Sequence, residues 1–331
     1  MTSQVSLTRR HLLTASAAAA GIASLGIPAW AQSSFPSKTM SIVVPYPAGG
    51  ANDMLGRLIG LKMSEALNGT AIVENKPGAG ALLGAAYVAK APPDGHTLLI
   101  GGLATHAASP HLLKADYDPL KDFEPVGMIG VAPIIAITYN ESPFKTLQDV
   151  VDAARKDPNG VMYGSSGNGS PLHLAGELFT SQNKLQMTHV PYKGGSAHIM
   201  DLIGGRVPVI FDTATNCVPL LKSGKVRALA VGAPARLADF PTVPTFAEAG
   251  FPQFDFSAWY AVFAPAKTPK DIVAKLSAAL GTALKNPEVV SKLAGVGVTP
   301  STGDAAQLAK FLPGEYERIG RLIRSANIKP D

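Results

Sequence analysis

Thiols are almost absent from this sequence. Cys217 is the single cysteine in 331 residues, which excludes an internal disulfide framework and a cysteine-ligated metal. It reads as a small buried hydrophobe. Long apolar runs are missing too: after residue 31 nothing approaches the ~18 uninterrupted apolar residues of a membrane helix. Charge is sparse, with 16% charged against 46% hydrophobic residues, the balance of a soluble globular protein. The basic excess is only +5 over the whole chain, and no Lys/Arg cluster interleaved with aromatics points to nucleic acid. His106 and His111 lack the i, i+4 spacing of a zinc pair, and His173, His189 and His198 are scattered, so no metal site is expected. Two further fingerprints are each missed by one residue. Gly78, Gly80 and Gly84 run Gly-x-Gly-x-x-x-Gly with no acid about 20 residues later, which excludes a dinucleotide site. Gly164-Ser165-Ser166-Gly167 falls short of the Gly-x-Ser-x-Gly elbow of a hydrolase. No cofactor is expected.

The first 31 residues stand apart. Arg9 and Arg10 precede an alanine-rich apolar run to Ile27, and Ala29-Trp30-Ala31 supplies an Ala-x-Ala processing signal. This is the layout of an export signal cleaved after Ala31, the arginine pair suiting either a twin-arginine or a Sec leader. A periplasmic location follows, and loss of Arg9 and Arg10 lowers the net charge to about +3.

The remainder is long enough for two domains and is organised around residues 42–53. Ile42, Val43 and Val44 form an apolar run of strand type, Gly49-Gly50 a turn, and Met54, Leu55, Leu58, Ile59, Leu61 and Met63 a helical pattern. A strand–glycine turn–helix unit aims backbone N–H groups and the positive helix end at one point, where carboxylates and phosphates bind. The same stretch also serves as a plain turn capped by Asn52 or Asp53. Similar units follow at 70–90 and 96–106, which predicts a parallel α/β sheet. Residues 126–138 read as a strand passing between domains. The second half repeats the logic with strands at 161–164, 187–190, 207–211 and 226–231, a short helix at 242–250, a returning strand at 256–263 and three C-terminal helices. Residues 165–170 make the richest polar loop, with hydroxyls at Ser165, Ser166 and Ser170, the Asn168 amide, and backbone N–H groups at a helix start.

Several blocks in this order resemble the Bug family of periplasmic solute receptors, the binding components of tripartite tricarboxylate transporters. They include Val44-Pro45-Tyr46-Pro47-Ala48-Gly49-Gly50 with Asp53, Val73-Glu74-Asn75-Lys76-Pro77-Gly78-Ala79-Gly80, Gly164-Ser165-Ser166-Gly167, Val190-Pro191-Tyr192-Lys193-Gly194-Gly195, Phe211-Asp212 and Pro244-Thr245-Phe246-Ala247-Glu248-Ala249-Gly250. The resemblance covers everything beyond the leader. It implies an α/β, two-domain periplasmic-binding-protein-like (type II) fold with two crossover strands and a ligand cleft between the domains. The expected boundaries are 32–130 for the first part of domain 1, 131–258 for domain 2, and 259–331 for the return to domain 1.

Carried over by residue, the resemblance places Tyr46, Ala48, Gly50 and Asp53 on one wall of the cleft. Ser165, Ser166, Asn168 and Ser170 form the opposite wall, with His173 at the start of the next helix. Thr105, Ala107, Tyr192, Lys193, Gly194 and Asp212 complete the set. N–H and hydroxyl donors working with water suit a carboxylate without a fixed cation. Asp212 can either meet a ligand ammonium or hydroxyl or cap the next helix. Two departures bear on the ligand: Asp212 is followed by Thr213-Ala214-Thr215-Asn216 where the family often has Asn-Leu-Pro-Ser, and Ser109-Pro110-His111 replaces its usual Asn-Pro. Glu177 and Asp201 read as solvent-facing helix positions. The expected protein is a monomeric receptor, not an enzyme, that closes on a small carboxylate and delivers it to a two-component membrane permease. A periplasmic hydrolase or isomerase using Asp212 or the serines, and a ligand-presenting sensor subunit, are the alternatives.

Overall fold

The computed structural model describes residues 35–192, 196–301 and 303–329. Lys38–Asp331 group into one compact unit. The other unit, Met1–Ser37, is described only at residues 35–37, where it shows no helix or strand. The expected leader and its processing at Ala31 lie outside the described residues.

Strand and helix alternate as the glycine-punctuated pattern predicts. First come β1 (Met40–Val44), α1 (Ala51–Ala66), β2 (Ala71–Asn75), α2 (Leu82–Ala89), β3 (Thr97–Gly102), α3 (Ser109–Leu112) and the long strand β4 (Phe123–Tyr139). Then follow α4 (Leu147–Lys156), β5 (Met162–Ser165), α5 (Pro171–Gln182), β6 (Thr188–Pro191), α6 (Ala197–Ile203), β7 (Val209–Thr213), α7 (Ala214–Lys222) and β8 (Val226–Val231). The chain closes with β9 (Ser257–Pro265), α8 (Lys270–Lys285), α9 (Pro287–Gly295), β10 (Thr299–Pro300) and α10 (Ala305–Ser325). Local chemistry sets several helix starts. Thr146 and Asp149 form a reciprocal capping box on α4, and Ser170 caps α5 with Pro171 in the first turn, where its missing N–H is harmless.

Two parallel ladders result. β1 lies between β2 and β3, and β5 lies between β6 and β7. Their buried strands read as nearly continuous apolar runs because both faces are covered. β4 joins the ladders. Its residues from Phe123 to Pro133 pair antiparallel with β9, which in turn pairs with β3. From Ile134 onward it pairs with β7 and β8. Pro133, lacking a donor for a ladder bond, stands where the partner changes. α10 packs on β4 and on the widened helical turn Ala104–Ala108. Val43, Leu99, Ile134, Phe211 and Phe263 belong to one buried apolar cluster running through both ladders.

Two local expectations are corrected. Residues 242–250 form turns, not a helix: Phe246 N donates to Val231 O at 3.0 Å and Val231 N to Pro244 O at 2.9 Å, drawing the segment against β8. Helix α1 is entered from Gly50 with no side-chain cap, and Asn52 and Asp53 sit inside its first turn. Among the described residues, no helix is long and apolar enough to cross a membrane, and no group of three or more His, Cys, Asp or Glu side chains could hold a metal ion. Cys217 is fully buried, which pushes its thiol pKa up.

Candidate ligand cleft

β1, β3, β5 and β7 each run into one of the loops chosen from sequence, and open parallel ladders bind ligands beyond the carboxyl ends of their strands. The loop after β1 is braced from behind. Asp53 is 5% exposed and accepts hydrogen bonds from Gly49 N at 2.9 Å, Arg57 Nε at 3.0 Å and Asn75 Nδ2 at 3.0 Å. Asn75 Nδ2 also donates to the Tyr46 carbonyl at 3.1 Å. Burial works against ionisation of Asp53, but the bonds from Arg57, Gly49 and Asn75 outweigh it and hold the carboxyl below its ordinary pKa. Gly49 has φ +85°, the left-handed region open to glycine. Ala48 and Gly50 are exposed at the loop tip.

The loop after β5 is held by imidazoles. The Ser165 hydroxyl is fully buried, 2.7 Å from His189 Nε2 and 3.1 Å from both Gly167 N and Gly167 O. Ser166 is half-buried, and its hydroxyl takes no partner among the described residues. Asn168 is half-buried, and Ser170 accepts from His173 N at 3.3 Å. His173 is buried, and its Nδ1 accepts from Gly169 N at 2.9 Å. Its ring stacks on His189 at 3.8 Å with the planes 4° apart. Gly169, at φ +72°, packs so closely on Leu112 of α3 that a Cβ would overlap it, so this wall touches an element that follows β3. Tyr192 N donates to Ser165 O at 3.0 Å. The Tyr192 phenol donates to Asp201 at 2.7 Å, and burial with this bond leaves its pKa pushed up to about 12.

A phenol also reaches the helix that follows β7. The Tyr260 hydroxyl of β9 lies 3.2 Å from Thr215 Oγ1 at the start of α7. Burial raises the Tyr260 pKa, and the charge of Asp212 adds to the effect. Burial likewise raises Tyr46, with Tyr260 as its electrostatic neighbour. Tyr117 donates to Thr105 O at 2.6 Å and also feels Tyr46. Asp212 is fully buried: Oδ2 lies 2.8 Å from His198 Nε2, while Oδ1 accepts from Thr213 N at 2.6 Å and Asn216 Nδ2 at 2.9 Å. Thr105 Oγ1 takes Gly102 N at 2.9 Å and meets His106 Nδ1 at 2.8 Å. His106 stacks on Phe263 at 3.7 Å, and burial pushes its pKa down to about 3.

The fold thus gathers Tyr46 and Asp212 around Tyr260, and Ser165, Tyr192 and residues 167–170 into one wall. Asp53, Thr105, Ser165 and Asp212 are buried with their polar atoms engaged by the protein, and Ala107 is buried beside Thr105. Ala48, Gly50 and Ser166 are the more accessible members. Lys193 and Gly194 lie outside the described residues. Glu177 and Asp201 do not simply face solvent. Glu177 accepts from the Tyr163 hydroxyl and approaches His173 Nε2 at 3.7 Å, and Asp201 pairs with Tyr192 and Arg206. Sequence reading missed Arg57, Asn75, His189, His198, Thr215 and Tyr260 as part of this network. Only Arg57 carried a usable signal, its i, i+4 spacing from Asp53 on one helix face. A groove of about 610 Å³ between β4, β9 and α10, with Val131, Trp259, Phe311 and Arg318 in its lining, contains none of these residues.

The profile of the TctC family, described as "Tripartite tricarboxylate transporter family receptor", matches residues 55–328. The chain belongs to this family. BugT of Bordetella pertussis is 31% identical to this TctC-family chain over 297 residues, covering 89% of it and 91% of BugT. An R. palustris protein solved with adipate is 34% identical, with TM-score 0.83, over 90% of this chain and 100% of that one. MatC from Rhodopseudomonas palustris, solved with bound malate, is 35% identical, with TM-score 0.79, over 87% of this chain and 100% of MatC. The resemblance to Bug receptors and the α/β periplasmic-binding-protein fold expected from it both hold. TctC proteins are periplasmic solute receptors and not enzymes, which sets aside the hydrolase or isomerase alternative.

Proposed function

We propose that this TctC-family receptor is exported and cleaved after Ala31, captures one small carboxylate in its cleft, and delivers it to a two-component permease of the tripartite tricarboxylate type. The loop at residues 45–50 carries the reading. Its geometry is fixed by Asp53, Arg57 and Asn75, so its accessible backbone N–H groups are preorganised at the start of the 16-residue helix α1. Preorganised donors at a helix start favour an anion without a side-chain cation. Relatives solved with adipate and malate support the carboxylate class.

Residues 38–130 with 259–329 form one lobe in this reading, and 131–258 the other. The change of partner along β4 at Pro133 and Ile134, and the start of β9 at Ser257, support boundaries near those positions. Rotation about these two crossings closes the wall at Ser166 and Asn168 onto the wall at Ala48 and Gly50.

Calorimetric titration with adipate and malate, each beside its uncharged diamide, tests the ligand class. Saturable binding of an acid with no binding of the diamide is the expected result. Equal binding of acid and diamide, or turnover of the acid to a new product, defeats the reading. Delivery is tested separately, by uptake into membrane vesicles carrying the cognate permease with and without the receptor.

A further inference from the structure

We infer that Leu112 limits how long a ligand the cleft accepts: it is an end stop, seated against Gly169 of the wall after β5 and aimed there by His111. The inference rests on the carboxylate cleft proposed above and adds a specificity-determining residue to it.

A cleft ends where its two sides meet. Gly169 is buried at φ +72°, and Leu112 packs so closely on it that any Cβ there would overlap Leu112 Cδ1. A left-handed φ also disfavours side chains, so the backbone at 169 stays bare and receives Leu112 as a knob. Leu112 is the last residue of α3, which follows directly on the widened turn Ala104–Ala108 that carries Thr105 and Ala107. Gly169 lies between Asn168 and Ser170 in the polar wall. A ligand held between these two sets of residues cannot extend past the point where Leu112 and Gly169 touch. The chemistry of the stop sharpens the limit. Leu112 offers only apolar carbon, and a carboxylate pressed against it loses water without gaining a donor. One methylene too many brings either that penalty or a displaced Leu112.

A length limit needs a rigid stop, and both partners are held. Gly169 N donates to His173 Nδ1 at 2.9 Å, and Ser170 caps α5 by accepting from His173 N at 3.3 Å. At the start of α3, Ser109 Oγ donates to Gly80 O at 2.7 Å. In the turn before it, Thr105 O accepts from the Tyr117 phenol at 2.6 Å. His111 fastens the other side of α3. Its Nε2 donates to the Tyr316 carbonyl of α10 at 2.9 Å, and its ring stacks on Tyr316 at 4.0 Å with the planes 29° apart. The ring also lies against bare backbone, because a Cβ at Gly320 would come within 2.6 Å of His111 Cε1. Successive residues of a helical turn point about 100° apart. Fastening His111 to α10 therefore turns Leu112 off α10 and fixes its direction toward Gly169. His111 is a positioning residue that acts through Leu112.

The test is a calorimetric series of unbranched α,ω-diacids, from succinate through adipate to sebacate, against wild type and variants. Wild type should show a cutoff, with affinity falling by about tenfold or more past one chain length. Leu112→Ala should move the cutoff longer by about two methylenes, raising affinity for the first excluded acid by about tenfold and leaving shorter acids unchanged. Leu112→Val, a milder change to the fold, should shift the cutoff in the same direction by less. His111→Ala should blur the cutoff, and His111→Gln, which keeps a donor for Tyr316 O, should restore part of it. A purely structural role for either residue would lower the melting temperature and weaken every acid alike, with the length profile unmoved. An unmoved profile in both Leu112 variants overturns the inference while leaving the carboxylate cleft intact, and so does a wild type with no cutoff. Wild type that binds no diacid of any length defeats the carboxylate reading, and this inference falls with it.

Discussion

The side-chain amide of Asn75 donates to the main-chain carbonyl of Tyr46 at 3.1 Å, and the same nitrogen reaches Asp53. The last residue of β2 thereby fixes the first turn of the loop that leaves β1, a neighbouring strand. Asn75→Ala should weaken carboxylate binding by about 1–2 kcal/mol, since two bonds that preorganise the loop are lost. Calorimetry reads the loss, and an unchanged affinity means that the loop holds its shape without Asn75.

Asp53 should make part of the protein's stability pH-dependent. Its folded pKa is lowered by the bonds from Arg57, Gly49 and Asn75, which outweigh burial. The contribution is therefore complete above its unfolded pKa of about 3.9 and is lost as pH falls through the lower folded value. Acid unfolding followed by circular dichroism should be shallower below about pH 4 in Asp53→Asn, which has no such proton to take up. Identical acid limbs in the two proteins rule this contribution out.

Ser165 and Ser166, adjacent in sequence, should behave differently. The Ser165 hydroxyl holds Gly167 and His189 inside the wall, so Ser165→Ala should destabilise the fold by about 1–3 kcal/mol through groups left unpaired. The Ser166 hydroxyl is half-buried and takes no protein partner among the described residues. Ser166→Ala should leave urea unfolding nearly unchanged and weaken ligand binding by about 1–2 kcal/mol. Equal effects of the two changes on stability would remove the distinction.

Asp212 and His198 form a fully buried pair at 2.8 Å. Asp212→Ala strands His198, Asn216 and the Thr213 amide together and should cost about 3–5 kcal/mol in denaturant unfolding. His198→Ala leaves Asp212 with its other donors and should cost less. The reverse ranking contradicts the bonding described.

Gly169→Ala combines a left-handed backbone with overlap on Leu112. Thermal unfolding should show about 1–3 kcal/mol of destabilisation. Leu112→Ala in the same chain should relieve the steric part and leave the backbone part. Full recovery in the double variant, or no loss in the single one, shows that the φ value carries no penalty.

Much of this was legible beforehand because it is local. Apolar runs ending in glycine announced β1, β3 and β5, and the helical spacing after Gly50 announced α1. The turn at 242–250 was misread because its deciding bonds run to Val231, outside any local window. The network around the cleft was hidden for the same reason. Asn75 reaches back 29 residues to Tyr46, and Tyr260 meets Thr215 across 45 residues.

The sequence by itself determined the order of strands and helices, the polar loops at strand ends, and membership of a receptor family, since these depend on periodicity, glycine punctuation and blocks of neighbouring residues. Only the tertiary structure decided which polar atoms of those loops are taken by the protein. Asp53, Ser165 and Asp212 looked like ligand donors or acceptors in the sequence. In the fold they are buried, with hydrogen bonds to side chains from other elements, because burial of a polar group demands a partner and the partner is chosen by packing in space, not by spacing along the chain.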